Sequence, residues 1–405
     1  ETSAKGHTPA EAVKENEKAP TCVAAGSYES VVYCSVCEAE ISRETVAGEP
    51  ATGVHTYDND QDADCNVCGD VREVKAPGTI TANGHSLSLE GNIWINKYVL
   101  IEGFEGVDIE QNGGLLIWNE YIAEEDAVFG AGNPIVKELV YNGLYNGVPE
   151  YGALTDGIKA PFYGNKLYMR AYVKVGDTYY YGGFSEYSVE DYCLGRIEKS
   201  KDAELKKLCA AVLEYGAMAQ IRFSNVDGVI TDRLINANLD SSLKTEYNSN
   251  MIIALDEEFE TQITAADNNI VKSNGRSISL NEGLLINYYF KTTLTNIQSA
   301  ELLTWRGVEG ELTYENATKT ELIYTGSEYA AQGELVPAPF CGDTIYACAR
   351  FVDANGVEYY TAVSAYSTHQ YASNQLNKTT TTEADRNLLQ TLLVYSSLAN
   401  AKFAK

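Results

Sequence analysis

Five of the nine cysteines and two of the four histidines fall within residues 1–75, a stretch with few large apolar side chains. Thiolates and imidazoles at that density are the ligands of a tetrahedral metal site, and a segment so short of apolar residues needs a staple to fold. Cys34-x-x-Cys37 and Cys65-x-x-Cys68-Gly69 have knuckle spacing, in which a tight turn after the first cysteine points both thiolates at one ion. Order along the chain groups His7, Cys22, Cys34 and Cys37 as a complete Cys3His site. His55, Cys65 and Cys68 are then three ligands of a second site, whose fourth place falls to a carboxylate from Asp58, Asp60, Asp62 or Asp64, or to water. The expected ion is structural zinc.

Two other readings compete. Five cysteines are an odd number, so disulfides alone would strand one thiol. Asp58-x-Asp60-x-Asp62 resembles the start of a calcium loop, but Ala63 stands where glycine allows the turn and Gly69 where a bidentate glutamate closes it. Calcium is therefore the weaker choice. An open zinc position invites a catalytic water, yet ribbon-like cysteine spacings are structural far more often than catalytic.

Residues 76–405 must supply whatever the head serves, and they repeat themselves. Asn83-Gly-His-Ser-Leu-Ser-Leu89 with Ile95-Asn96-Lys97-Tyr98 aligns with Asn274-Gly-Arg-Ser-Ile-Ser-Leu280 and Ile286-Asn287-Tyr288-Tyr289. Leu115-Leu116-Ile-Trp118 answers to Leu302-Leu303-Thr-Trp305, Ala160-Pro-Phe162 to Ala338-Pro-Phe340, and Leu208 through Phe223 to Leu388 through Phe403. The offset drifts from 191 to about 180, as loop indels would make it. Period-two alternation over Ser86–Leu89 and Leu167–Val175 predicts strands, and Gly176-Asp177 a hairpin turn. Leu205, Leu208, Cys209 and Val212, and again Leu388, Leu389 and Leu392, predict an amphipathic helix closing each copy onto its own sandwich. Thr382, and Ser200 or Asp202, are the expected N-caps. The organisation expected is a zinc-ribbon-like segment (1–75), a β-sandwich plus helix (76–225), a connector (226–256) and a second β-sandwich plus helix (257–405). The fold class is mainly β with helices.

Catalytic motifs do not emerge. There is no GxSxG, P-loop, HExxH or dinucleotide fingerprint, and His85 and His369 sit in contexts expected to be an exposed strand and a turn. Trp118 and Trp305 occupy matching positions and read as core. Tyr145 and Tyr151, around Asn146-Gly147-Val-Pro149, and Tyr163 after the shared Pro-Phe, are the better candidates for presenting flat rings to a ligand. With 30 basic against 57 acidic residues, the formal charge of -27 repels phosphate backbones and anionic lipid, which argues against nucleic acid. No run of 18 apolar residues suggests membrane insertion. The start at Glu1-Thr2-Ser3 reads as a piece of a longer polypeptide.

Gly6-His-Thr-Pro-Ala-Glu-Ala-Val13, Val31-Val-Tyr-Cys34-Ser-Val-Cys37 and Asp62-Ala-Asp-Cys65-Asn-Val-Cys68-Gly69 resemble segments recurring in large secreted proteins of anaerobic Gram-positive gut bacteria. Tyr168-Met-Arg-Ala-Tyr-Val173 and Leu213-Glu-Tyr-Gly-Ala-Met-Ala-Gln220 resemble a module of the same proteins. In the second head unit that family carries a further cysteine where this chain has Gln61. The resemblance implies a surface-displayed or matrix-associated role, and the role expected on the whole is a non-catalytic adhesion module at the cell surface. Attachment to an extracellular glycan is the first expectation. A structural stalk, or capture of a host protein such as immunoglobulin, are the alternatives.

Overall fold

The computed structural model describes residues 6–58, 62–73, 76–90, 92–280 and 284–404. The chain divides into two compact units, Glu1–Thr79 with Gly103–Glu105, and the remainder.

The first unit is built on an antiparallel sheet of β1 (Val13–Lys18), β2 (Ser27–Tyr33) and β3 (Glu40–Ala47), with β2 central. Most of its side chains are exposed, and its buried apolar set among the described residues is Val31 and Phe104 with Cys22, Cys34 and Cys65. So thin a core cannot offset chain entropy, which leaves the cysteines as the natural staple.

The second unit holds both repeats. In the first, β4 (Thr79–Leu87), β5 (Ile95–Glu102), β8 (Val140–Tyr145) and β9 (Val148–Leu154) form one sheet in the order β4-β5-β9-β8. The other sheet runs β11-β10-β6-β7, from β6 (Gly113–Trp118), β7 (Ile135–Glu138), β10 (Leu167–Val175) and β11 (Thr178–Tyr181), with β12 (Ser185–Tyr187) also on β10. A single helical turn, α1 (Ile109–Asn112), precedes β6.

The second repeat reproduces this strand for strand. Its sheets are β13 (Val271–Ser279), β14 (Leu285–Thr292), β18 (Tyr329–Leu335) and β17 (Ile323–Tyr324), and β16 (Thr318–Glu321), β15 (Ile297–Arg306), β19 (Ile345–Asp353) and β20 (Glu358–Tyr360), with β21 (Ser364–Tyr366) on β19. The repeated sequence motif has the same job in both. Asn83 and Asn274 donate to Glu150 and Glu328, and Ser86 and Ser277 meet the hydroxyls of Tyr98 and Tyr289 at 3.0 Å. Period-two alternation on β5 buries Ile95, Lys97, Val99 and Ile101, whereas β6 is buried on both faces.

Each repeat closes with two helices where sequence predicts one. α2 (Val189–Lys199) starts at a capping box of Ser188 with Asp191, and α4 (Thr368–Leu376) is capped by Ser367. α3 (Ala203–Arg222) is capped by Asp202 and α5 (Glu383–Phe403) by Thr382. Each long helix packs on its own repeat, α3 against Ala160–Phe162 and α5 against Ala338–Phe340, and each also meets the other. They lie antiparallel against each other, with the Tyr215 and Tyr395 rings 5.9 Å apart. Arg222 pairs with Asp385, and Lys402 with Asp202 at 2.8 Å, a reciprocal arrangement across the approximate two-fold.

The connector is pinned to both repeats. Ile235 is buried in a notch between Gly164 and Gly216, where an added Cβ on either glycine would come within 2.6 Å of it. Ile253 fills the equivalent notch at Gly342.

Candidate metal centres and aromatic surfaces

The two knuckles fold alike. After Cys65, the Gly69 amide donates to the Cys65 carbonyl at 2.8 Å with φ +70°, and after Cys34 the Glu38 amide donates to the Cys34 carbonyl at 2.9 Å with φ +60°. Left-handed backbone is easy for glycine and strained for glutamate.

The structure regroups the ligands. Cys22, His55, Cys65 and Cys68 converge as one set, and His7, Cys34 and Cys37 as another, all ligand atoms in each set lying within 4.8 Å of one another. Cys22 therefore completes the second knuckle rather than the first, which corrects the grouping expected from chain order. The bulge and hairpin geometry of β2 and β3 carries Cys34 away from it, while Thr52 and Gly53 donate to the Thr21 and Cys22 carbonyls and bring the 50s loop alongside.

Distances fit a metal. Cys22 Sγ and Cys65 Sγ are 3.6 Å apart, Cys68 Sγ and His55 Nδ1 3.4 Å, and Cys37 Sγ and His7 Nδ1 3.3 Å. Tetrahedral zinc with its usual bond lengths sets ligand edges of about 3.8 Å between sulfurs and about 3.5 Å between sulfur and nitrogen. Backbone amides of Val36 and Cys37, with His7, draw the Cys34 thiol down to about 6. Burial pushes the Cys65 thiol up, but the amides of Val67, Cys68 and Thr56 outweigh it and bring the thiol to about 5. Cys22, sharing hydrogen bonds with Cys68 in a buried cluster, is pushed up to about 12. Three crowded sulfurs cannot all be thiolates without a cation between them.

The aspartates take other work. Asp62 accepts from the Asp58 and Asp64 amides, Asp58 accepts from Asn66 Nδ2 at 2.7 Å, and Asp60 lies outside the described residues. The carboxylate that sequence reasoning missed is Asp70, 3.6 Å from His55 Nε2. It sits behind the ligand and orients the ring with Nδ1 toward the sulfurs. The His7 group offers three ligands among the described residues and is the more exposed of the two. All nine cysteines are free thiols.

The proposed aromatic residues separate. Tyr145 is 49% exposed and faces Val148 across a two-residue turn whose Asn146 and Gly147 both have positive φ, the hairpin turn that Asn-Gly favours. Tyr151 is half-buried on the next strand, its ring edge-on to Tyr141 at 5.6 Å. Tyr163 is only 4% exposed, with its ring against Gly216 of α3, and cannot present itself to a ligand. Helix and connector close over a position that looks like an open loop in sequence. Trp118 and Trp305 are core, donating to the Ala131 and Thr313 carbonyls.

Of the remaining histidines, His85 is partly buried and His369 fully buried. His85 stacks on Tyr187 at 4.2 Å, and His369 is sealed inside α4, its Nδ1 accepting from the Ile253 amide at 3.0 Å and its Nε2 2.9 Å from Ser396 Oγ. Burial holds both imidazoles down, to about 4. No described helix is long and apolar enough to cross a membrane.

No family model matches the chain, and no curated protein matches it either. Among solved structures it is similar to a DUF4785 family protein from Legionella pneumophila at 8% identity and a TM-score of 0.16, covering 72% of this chain and 57% of that one. The chain thus spans a little over half of that protein's length, and a likeness this slight transfers neither fold nor role.

Proposed function

We propose that the chain is a non-catalytic attachment module of an extracellular or cell-surface protein, its head folded around structural zinc and its first sandwich binding a glycan. One observation carries the attachment reading. The paired tyrosines Tyr141–Tyr151 and Tyr324–Tyr329 sit at the same place in the two repeats, but the first hairpin has nine residues between them (142–150) and the second four (325–328). The extra length projects Leu144 and Tyr145, 66% and 49% exposed, beyond the sheet. Lengthened loops that expose flat aromatic rings on a rigid scaffold suit stacking against sugar faces.

Zinc is favoured over calcium by the donors, which are sulfur and imidazole rather than oxygen. The acidic surface suits a protein working outside the cell as part of a larger polypeptide. The test is to screen the intact chain against plant and mucin glycans, with immunoglobulins alongside. Saturable binding to one glycan class is the expected result. Binding confined to immunoglobulin would reassign the partner to a host protein, and a blank screen would leave a structural spacer.

A further inference from the structure

The two repeats differ at one cleft in a way that names a ligand. In the second repeat, Arg306 at the end of β15 lays its guanidinium between Glu334 and the ring of Phe340, with Nη2 3.6 Å from Glu334 Oε2 and Cζ 6.0 Å from the ring centroid. Asp343 lies close enough to feel its charge. The first repeat keeps this surround, with Asp156, Phe162 and Asn165 at the positions of Glu334, Phe340 and Asp343. The last match is fixed by backbone, since the Asn165 and Asp343 amides donate to the Phe162 and Phe340 carbonyls at the same 3.0 Å.

What the first repeat lacks is the arginine. Asn119 stands where Arg306 does, and a cleft of about 490 Å³ opens between it, Glu120, Asp156, Phe162, Asn165 and Asp227. Asn165 Nδ2 is spent on the Gly228 carbonyl at 2.8 Å, while its Oδ1 is buried without a partner among the described residues. A buried acceptor of that kind calls for a donor from elsewhere. Lys137 holds Asp156 Oδ1 at 2.6 Å and leaves Oδ2, and Lys159 also borders the cleft. Glu120 is an acid that the second repeat replaces with Gly307, and Asp227 adds a further carboxylate to the cleft lining.

We propose that this cleft receives the guanidinium of an arginine side chain from a protein partner, in the manner that Arg306 occupies its twin. A planar cation over an aromatic floor, flanked by carboxylates and an amide oxygen, is the arrangement guanidinium prefers, and lysine would forgo the fork. The proposal goes beyond the glycan reading, uses a different surface, and stands or falls separately from it.

The test titrates intact protein, followed by NMR at low salt, with N-acetyl-arginine amide, with its neutral citrulline analogue, and with short peptides carrying one arginine. Arginine amide is expected to bind at least about tenfold more tightly than citrulline, with a further gain in the peptides, and Glu120→Gln with Asp156→Asn to weaken it about tenfold. Asn119→Arg, which installs the second repeat's own occupant, is expected to abolish binding. Should Asn119→Arg misfold, Arg306→Asn supplies the converse, since it opens the second cleft and should regain melting temperature on addition of ethylguanidinium. Equal binding of arginine and citrulline, or binding that survives Asn119→Arg, overturns the site. Peptides that bind no better than the free amide overturn the protein partner.

Discussion

The two sandwiches share a backbone and differ in what fills it. At the buried position on the second strand, the first repeat has Lys97 and the second Tyr288, and on the neighbouring strand the first has His85 and the second Arg276. In each repeat the residue on that neighbouring strand lies against the matching tyrosine, His85 on Tyr187 and Arg276 over Tyr366. Arg276 is satisfied by the Ala365 carbonyl and Ser364, whereas Lys97 is 1% exposed and burial brings its amine down to about 8. The knuckles show the same contrast, one with four ligands and one with three. Duplication lets one copy hold the fold while the other carries an unfilled place.

The largest break in that contrast is expected at the knuckles. Removing Cys65 by Cys65→Ser should cost the head its tight metal, a binding energy on the order of 10 kcal/mol for structural zinc, and unfold it. Cys37→Ser should leave that ion in place. Native mass spectrometry with graded chelator separates the two, and Cys22→Ser should behave like Cys65→Ser. If it behaves like Cys37→Ser, the regrouping is wrong.

Next comes acid sensitivity of the second repeat. His369 is neutral when folded, with its pKa at about 4 against an ordinary 6.5. Its contribution is complete above 6.5 and is lost as pH falls from 6.5 toward 4, because only the unfolded chain takes up the proton; the loss is roughly 2–3 kcal/mol. The first repeat has Glu190 at this position, paired to Arg233 at 2.6 Å, and carries its own low-titrating imidazole on β4 instead, at His85. Urea titrations of wild type and His369→Gln between pH 7 and 4.5 should differ in slope, and parallel curves would count against a buried neutral histidine.

Smaller is the cost of Lys97. Lys97→Met should raise stability at pH 7 by on the order of 2 kcal/mol, since burial penalises the charged amine. Because the folded amine titrates at about 8 and the free one near 10.5, wild type should gain stability as pH rises between those values, and the variant should not. Guanidinium melts across pH 7–10.5 measure both. The smallest effect is Glu38→Gly, which relieves the left-handed residue of the first knuckle and should stabilise the head by about 1 kcal/mol on thermal melting.

Much of this fold was legible because duplication writes it twice. The Asn-Gly-x-Ser motif, the Trp118 and Trp305 positions and the helix caps at Asp202 and Thr382 recur where the structure uses them. The ligand set was legible by residue type, but the partner of Cys22 was not, since its contact with Cys65 spans 43 residues and depends on how the loops after β3 return. α2 and α4 are shorter and more polar than the long helices, although the Ser188-x-x-Asp191 capping box announces the first. Tyr163 misled because its burial comes from Gly216 and Ile235, residues 53 and 72 positions away in sequence, which no local pattern reports.

The attachment reading is tested most directly by comparing matched tyrosine variants on the glycan that binds best. Tyr145→Ala and Tyr151→Ala in the first repeat should each cut affinity about tenfold, by loss of one stacking contact, while Tyr329→Ala, the counterpart of Tyr151 at the shorter hairpin, should leave it unchanged. Equal losses at both hairpins, or none at either, would contradict it.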